Sequence, residues 1–448
     1  MTTSVLLKWA DVSDGETSQR IYRSTSPMDV GNMPPALATV PANVMEYLDD
    51  SVLPDTDYHY IVSSVSSSRE SFSEPISVRT AAFTGLWYEQ EPVEFLLRDA
   101  ASRHHGVTAS ATVSNFGVSM TDATKWASAC VGPDGKVYGI PASVSDILII
   151  DPAAGTATRS AMGANLSGDV KWVGGVLGPN GKIYGVPDTA TDILIIDPVA
   201  GTATRSAMGA SWSGSRQWRG GVLGPNGKIY CIPANATDIL IIDPAAGTAT
   251  RSAMGANLSG PAKWVGGVLG PDGKIYGIPD NASDILIIDP AAGTATRSTM
   301  GASLNGAGKW ASGVLGPDGK IYGVPTGAGE ILIIDTALGS ATRSAMGANL
   351  SDSSKFSGGA LGPDGKIYCI PSSVSNILII DPLAGTATRS ALGGSWTPAS
   401  AFYTGVLAPN GKIYGMPESA AGVLIISPGA GVPALPAALC RSPFLNKL

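Results

Sequence analysis

Histidine, the side chain most often used to move a proton near neutral pH, occurs in this chain only at His59, His104 and His105. None of the three lies in the repeated part that fills most of the sequence. A Ser-His-Asp triad, an imidazole metal cage or a His-ligated copper site has no residues to be built from there. No cofactor and no metal are expected. Carboxylates are the remaining acid–base candidates. Asp169, Asp188, Asp280, Glu330 and Glu418 are scattered over separate repeats and nothing in the sequence pairs any two of them, whereas glycosidic cleavage needs two carboxyls in one cleft. The expectation is a chain without enzymatic activity. Asp134, Asp272, Asp318 and Asp364 each stand alone before a turn glycine, and a hard cation wants about six clustered oxygens, so they read as turn residues.

The binding candidates are aromatic and basic. Trp212 and Trp396 replace the leucine found at Leu166, Leu258, Leu304 and Leu350, in connections that vary from copy to copy. An indole with an open face is a stacking surface for sugars; the competing reading is plain packing, because the consensus there is apolar. Lys171, Lys263, Lys309 and Lys355 end four of these variable connections and complete the candidate ligand-binding set. Trp126, Trp172, Trp218, Trp264 and Trp310, with Phe356 and Phe402, open each repeat and read as core. Arg159, Arg205, Arg251, Arg297, Arg343 and Arg389 read as charges guarding exposed strand edges. Cys231 and Cys369 share a repeat position in different copies, too far apart to bridge. Free buried thiols are expected, with a Cys130–Cys440 bridge, or a bridge between chains, as the alternative.

These residues are positioned by a repeat. The phrase Gly-Pro-Asp/Asn-Gly-Lys-Ile/Val-Tyr starts at Gly132, Gly178, Gly224, Gly270, Gly316 and Gly362, and a degraded copy starts at Ala408, each 46 residues after the last. One copy reads as four short strands, 173–177, 182–186, 192–196 and 202–207, separated by Gly, Pro and Asp turns. Four antiparallel strands per unit make a propeller blade. The last copy lacks its fourth strand, and Ser110–Gly117 aligns with Thr156–Gly163, so an N-terminal strand should complete the C-terminal blade. Residues 110–431 span 322 positions, seven periods of 46, which predicts seven blades.

The phrase Gly-Gly-Val-Leu-Gly-Pro-Asn-Gly-Lys-Ile-Tyr at 174–184, followed by Asp192-Ile-Leu-Ile-Ile-Asp-Pro198, resembles the kelch-type repeat. It departs from that pattern at Val186-Pro187, where the family has a double glycine, and in lacking the fourth-strand tryptophan. Ahead of the repeats, Leu6–Trp9, Arg20–Ser24, Tyr47–Asp49 and Leu53–Val62 alternate as strands, and Trp9 with Leu53, Pro54, Thr56 and Tyr58 resembles the fibronectin type III domain. That resemblance implies a buried Trp9, a Tyr58 hydroxyl tying the crossover loop, and a last strand at 75–80. Between the two parts, Pro92 to His105 reads as a short helix with Val93, Leu96, Leu97 and Ala100 on one face.

The fold expectation is therefore all-β: a fibronectin type III-like sandwich (1–82), a linker with a short helix (83–106), a seven-bladed propeller (107–431) and a tail (432–448). With Lys+Arg 29 against Asp+Glu 36 and no charge run, no nucleic-acid or anionic-membrane footprint is visible. The first residues lack a secretory signal pattern, and no apolar run approaches the roughly 20 residues of a spanning helix. Fibronectin-like module plus signal-less propeller resembles virion proteins of tailed bacteriophages. That resemblance implies a non-enzymatic virion structural or recognition protein, with other virion proteins, its own copies and a cell-surface glycan as partners. The alternative is a bacterial surface or extracellular propeller that binds or cleaves glycans, or an intracellular kelch-like scaffold.

Overall fold

The computed structural model describes residues 109–429 apart from 123 and 398, and before them 5–10, 17–28, 33–41, 46–49, 52, 56–66, 70–73, 76–79 and 95–98. The chain divides into two compact units after Thr108. No helix occurs among the described residues; every regular element is a strand.

In the second unit the repeat becomes a series of four-stranded antiparallel sheets, seven among the described residues, here called blades 1 to 7 in chain order. Blade 2 is typical: Trp172–Leu177, Ile183–Pro187, Ile193–Asp197 and Thr202–Ser206 pair in sequence. The tight turns form because Gly181 and Gly201 take positive φ of 76° and 66°, which a side chain would oppose. Blade 7 borrows its fourth strand: Ser110–Ser114 pairs antiparallel with Val423–Ser427. First strands lie beside those of the next blade, and Phe402–Leu407 of blade 7 lies against Trp126–Val131 of blade 1.

Burial grades outward from the centre of each sheet. Second strands such as Ile183–Pro187 are buried throughout, whereas fourth strands such as Thr202–Ser206 bury only their alanine. The aromatics that open the repeats are core, as expected, with Trp172 Nε1 donating to Asp192 O at 2.9 Å. Glycine in the first strands has a steric cause. A Cβ on Gly220 would lie 2.7 Å from the Cα of Gly266 in the next blade, so the inner strands close on one another to backbone contact. The fourth-strand arginines do more than guard an edge. Arg205 lies 5.1 Å from the Trp172 ring centroid and pairs with Asp192 at 2.9 Å. Cys130, Cys231 and Cys369 are free and buried.

The described residues of the first unit form two sheets. Glu46–Asp49, Val5–Ala10 and Phe95–Arg98 form one; Ala38–Pro41, Ser18–Ser24, Asp57–Val65 and Glu70–Phe72 form the other, with Ile76–Arg79 also on Asp57–Val65. Leu7, Ile21, Val52, Tyr58, Tyr60 and Val62 make its core. Buried Asp49 accepts from Arg23 Nη1 at 2.8 Å and from the Tyr60 hydroxyl at 2.7 Å. The helix expected from Pro92 to His105 does not form at its centre, because Phe95–Arg98 is a strand parallel to Val5–Ala10. Phe-Leu-Leu is too short an apolar run for its period to separate helix from strand, and an open sheet edge decides the outcome. The rest of the linker, Leu53, Pro54, the Trp9 side chain, His104, His105, Cys440 and the tail lie outside the described residues.

Candidate functional site

The inner strands place one side chain per blade at the ring axis, immediately after the opening aromatic. In five blades it is Ala127, Val173, Val265, Ala311 or Ser357; in blade 3 it is Arg219 and in blade 7 Tyr403. A second set follows the proline that ends each second strand. It reads Ala142, Ala234, Thr326 and Ser372 in four blades and is acidic in three, at Asp188, Asp280 and Glu418. Folding brings these exceptions to one end of the axis.

Arg219 Nε donates to Asp188 Oδ2 at 2.8 Å, and the Asp188 side chain is 0% exposed. Burial pushes the Asp188 carboxyl up, and Arg219 opposes the rise. Its other oxygen, Oδ1, is buried and has no side-chain partner, and the Arg216 backbone joins Arg219 in opposing the rise. Burial works against the Arg219 cation too, but Tyr403, Asp188 and Asp280 outweigh it and hold the guanidinium above its ordinary value. Asp280 is raised by burial against the opposing charges of Lys309, Arg216 and Arg219. Glu418 is raised by burial against Arg219 and Lys125. Burial also raises Tyr403, opposed by Arg219. Five groups from blades 2, 3, 4 and 7 thus share one electrostatic environment. Arg219, Asp280, Tyr403 and Glu418 are half-buried, so water still reaches them at this end of the axis, called here the channel mouth.

Such a constellation offers a hydrogen-bonding cation, carboxyls poised to hold a proton above the usual range, and a phenol. The pattern suits binding a polar ligand and acid–base chemistry. Among the described residues no group of three or more His, Cys, Asp or Glu side chains could hold a metal ion.

The sequence-predicted carboxylates split accordingly. Asp188, Asp280 and Glu418 come together; Asp169 is exposed elsewhere, and Glu330 pairs with Arg343 at 2.9 Å. The premise that no two converge is overturned. Lys171, Lys263, Lys309 and Lys355 are buried and staple one blade to the next. Lys171 Nζ donates to Ala142 O at 2.6 Å, Val144 O at 3.0 Å and Gly168 O at 2.6 Å. Lys263 repeats this on Ala234, Ala236 and Gly260; Lys309 donates to Asp280 O and Gly306 O, and Lys355 to Thr326 O and Asp352 O. Burial lowers Lys171 and Lys263 to about 8, which leaves both mostly charged at neutral pH on their carbonyl partners. Trp212 is buried, with Nε1 on Ala190 O at 2.7 Å; Trp396 is half-buried, with Nε1 on Val374 O at 2.9 Å.

Arg219 and Tyr403 were missed although a signal existed. The lysine staple is absent only where Gln217 and Ala401 replace it, and these two residues lead directly into Trp218-Arg219 and Phe402-Tyr403. Trp212 and Trp396 lie in the same two connections. Departures from a near-uniform repeat that cluster in two blades and meet at one axis mark the site.

No family model matches the sequence, and no curated protein matches it significantly. Solved structures do share its fold. A streptogramin B lyase aligns at TM-score 0.55 with 16% identity, over 71% of this chain and 97% of its own. A virginiamycin B lyase from Staphylococcus aureus aligns at TM-score 0.55 with 15% identity, over 71% of this chain and 99% of its own. The extracellular domain of a protein assigned to the hybrid two component systems of B. thetaiotaomicron aligns at TM-score 0.54 with 12% identity, over 85% of this chain and 54% of that one. At these identities the likeness establishes the β-propeller fold alone. It also corrects the expectation of a non-enzymatic chain, since this fold carries lyases as well as proteins that are not enzymes.

Proposed function

We propose that this chain is a bacterial surface or extracellular protein that binds or cleaves a glycan at the mouth of a closed ring of seven blades, with the fibronectin type III-like unit as its attachment module. The observation that supports this reading is the convergence of Asp188, Asp280 and Glu418 on Arg219 and Tyr403. Asp188, held by Arg219, orients the guanidinium toward hydroxyl or carboxylate groups of a sugar. Asp280 and Glu418, both raised by burial, are the proton donors a cleavage step would use. The fold match to an extracellular domain is in keeping with this placement. None of the structures named above is a virion component, so the extracellular alternative is preferred to the virion reading.

The test is binding of the full chain to bacterial envelope polysaccharides, with reducing-end release measured in parallel for Arg219→Ala and Glu418→Gln. Arg219→Ala should lower affinity at least tenfold, and Glu418→Gln should retain binding while any release stops. A folded chain that binds and cleaves none of them, or variants indistinguishable from the parent, would sink the proposal.

A further inference from the structure

Six of the blades fill the same socket in the same way. In blade 1, Arg159 lies 5.1 Å from the Trp126 ring centroid, pairs with Asp146 at 2.8 Å, and donates from Nη1 to Ser119 O at 2.8 Å. Blade 3 repeats it with Arg251 on Trp218, Asp238 and Ser211 O. Blade 6 keeps the arginine, with Arg389 over Phe356, bonded to Asn376 and to Asn349 O.

Blade 7 does not. Its fourth strand comes from the N-terminal segment, and the residue opposite Leu424 is Val113, where Arg389 stands opposite Leu378 in blade 6. Gly422 stands where Asp146 stands in blade 1, and the Ser114 backbone lies 2.9 Å from where its Cβ would be, which leaves no room for a carboxylate. Both halves of the filling pair are therefore missing. The result is an open groove of about 730 Å³ whose walls include Val113, Asn115, Ser395, Trp396, Thr397 and Ser419.

We propose that this groove is a saccharide-binding site, separate from the channel mouth and valid whether or not the channel acts on a glycan. Its volume lies within the roughly 300–1,000 Å³ of small-molecule sites. Its chemistry is that of sugar recognition: an aromatic wall for the C–H face of a pyranose, with hydroxyls and an amide to exchange hydrogen bonds with its hydroxyl groups. Trp396 is a rigid wall, tied through Nε1 to Val374 O at 2.9 Å and set edge-on to Phe402 at 6.0 Å. With the guanidinium absent, the Ser395 carbonyl is left at the wall for a sugar O–H to reach. Among the described residues no charged side chain lines the groove, which favours a neutral saccharide over an acidic one.

The experiment titrates the full chain with three neutral trisaccharides, chitotriose, cellotriose and maltotriose, by saturation-transfer NMR and calorimetry. At least one should bind. Val113→Arg restores the guanidinium that plugs the other sockets and should lower that affinity at least tenfold without lowering Tm; Trp396→Ala should also lower the affinity at least tenfold, by removing the wall, at some cost in stability. Arg219→Ala should leave this binding unchanged, which separates it from the channel reading. No binding by the folded chain, binding insensitive to both groove variants, or binding lost with Arg219 would each overturn the assignment.

Discussion

Blades 3 and 7 depart from the common template at the same places, and one arginine separates their outcomes. Each replaces the lysine staple, with Gln217 and Ala401; each carries a tryptophan in its leading connection, Trp212 and Trp396; each sends a polar side chain to the axis, Arg219 and Tyr403. Blade 3 keeps Arg251, which bonds the carbonyl of Ser211 just before Trp212, and there the Trp212 indole is buried, edge-on to Trp218 at 5.4 Å. Blade 7 has Val113 instead, and Trp396 borders open space. The same substitution is therefore core in one blade and half-buried at an open groove in the other. What decides it is whether a neighbouring strand brings the filler.

The largest test of that contrast is truncation of each indole. Trp212→Ala should cost about 3–5 kcal/mol in urea unfolding, the range for a buried tryptophan. Trp396→Ala should cost roughly half as much, because part of its surface already meets water. Equal losses would mean that the two sites are packed alike.

Next in size is Arg219→Ala, which strands a fully buried Asp188 carboxylate without its cation. About 2–3 kcal/mol is expected at neutral pH, below the range for fully enclosed pairs because Arg219 faces the channel. Adding Asp188→Asn should restore most of it, and a double-mutant cycle reads the coupling directly. A loss that persists in the double variant would show Arg219 acting by packing alone.

The repeat pattern made the blade strands and the closing pair Ser110–Ser114 with Val423–Ser427 legible, since turn glycines and period were enough. The site was not legible, for physical reasons. Asp188, Asp280 and Glu418 lie far apart along the chain, and only ring closure makes neighbours of them. Lys171 reads as a ligand-binding candidate in the sequence because its partners, the carbonyls of residues 142, 144 and 168, are backbone atoms that no residue type announces. Phe95–Arg98 went wrong in the opposite sense, where local period was followed and a sheet edge prevailed.

A smaller effect is expected from Arg251→Val, which imposes the blade 7 condition on blade 3. Its pair with Asp238 at 2.7 Å is partly exposed, so about 1 kcal/mol should be lost. Trp212 should become more accessible to acrylamide quenching. Unchanged quenching would mean that the blade 7 groove owes its opening to Gly422 rather than to Val113.

The smallest expected effect separates the channel mouth from the remaining carboxylates by pH. Asp280 and Glu418 are raised above their unfolded values by burial. Their contribution to stability is therefore full below the ordinary carboxyl range and is lost as pH rises through their folded values toward neutrality. Asp197 and Asp243 behave oppositely: backbone hydrogen bonds lower them, and their contribution is lost as pH falls. The parent curve mixes the two, so the readout is the difference between the parent and Asp280→Asn/Glu418→Gln. The variant should gain on the parent as pH rises from about 4 to 7, by less than ~1 kcal/mol per group because both still reach water. A difference that does not change with pH would mean that the two carboxyls titrate like exposed ones, and the channel mouth would then hold no poised proton donor.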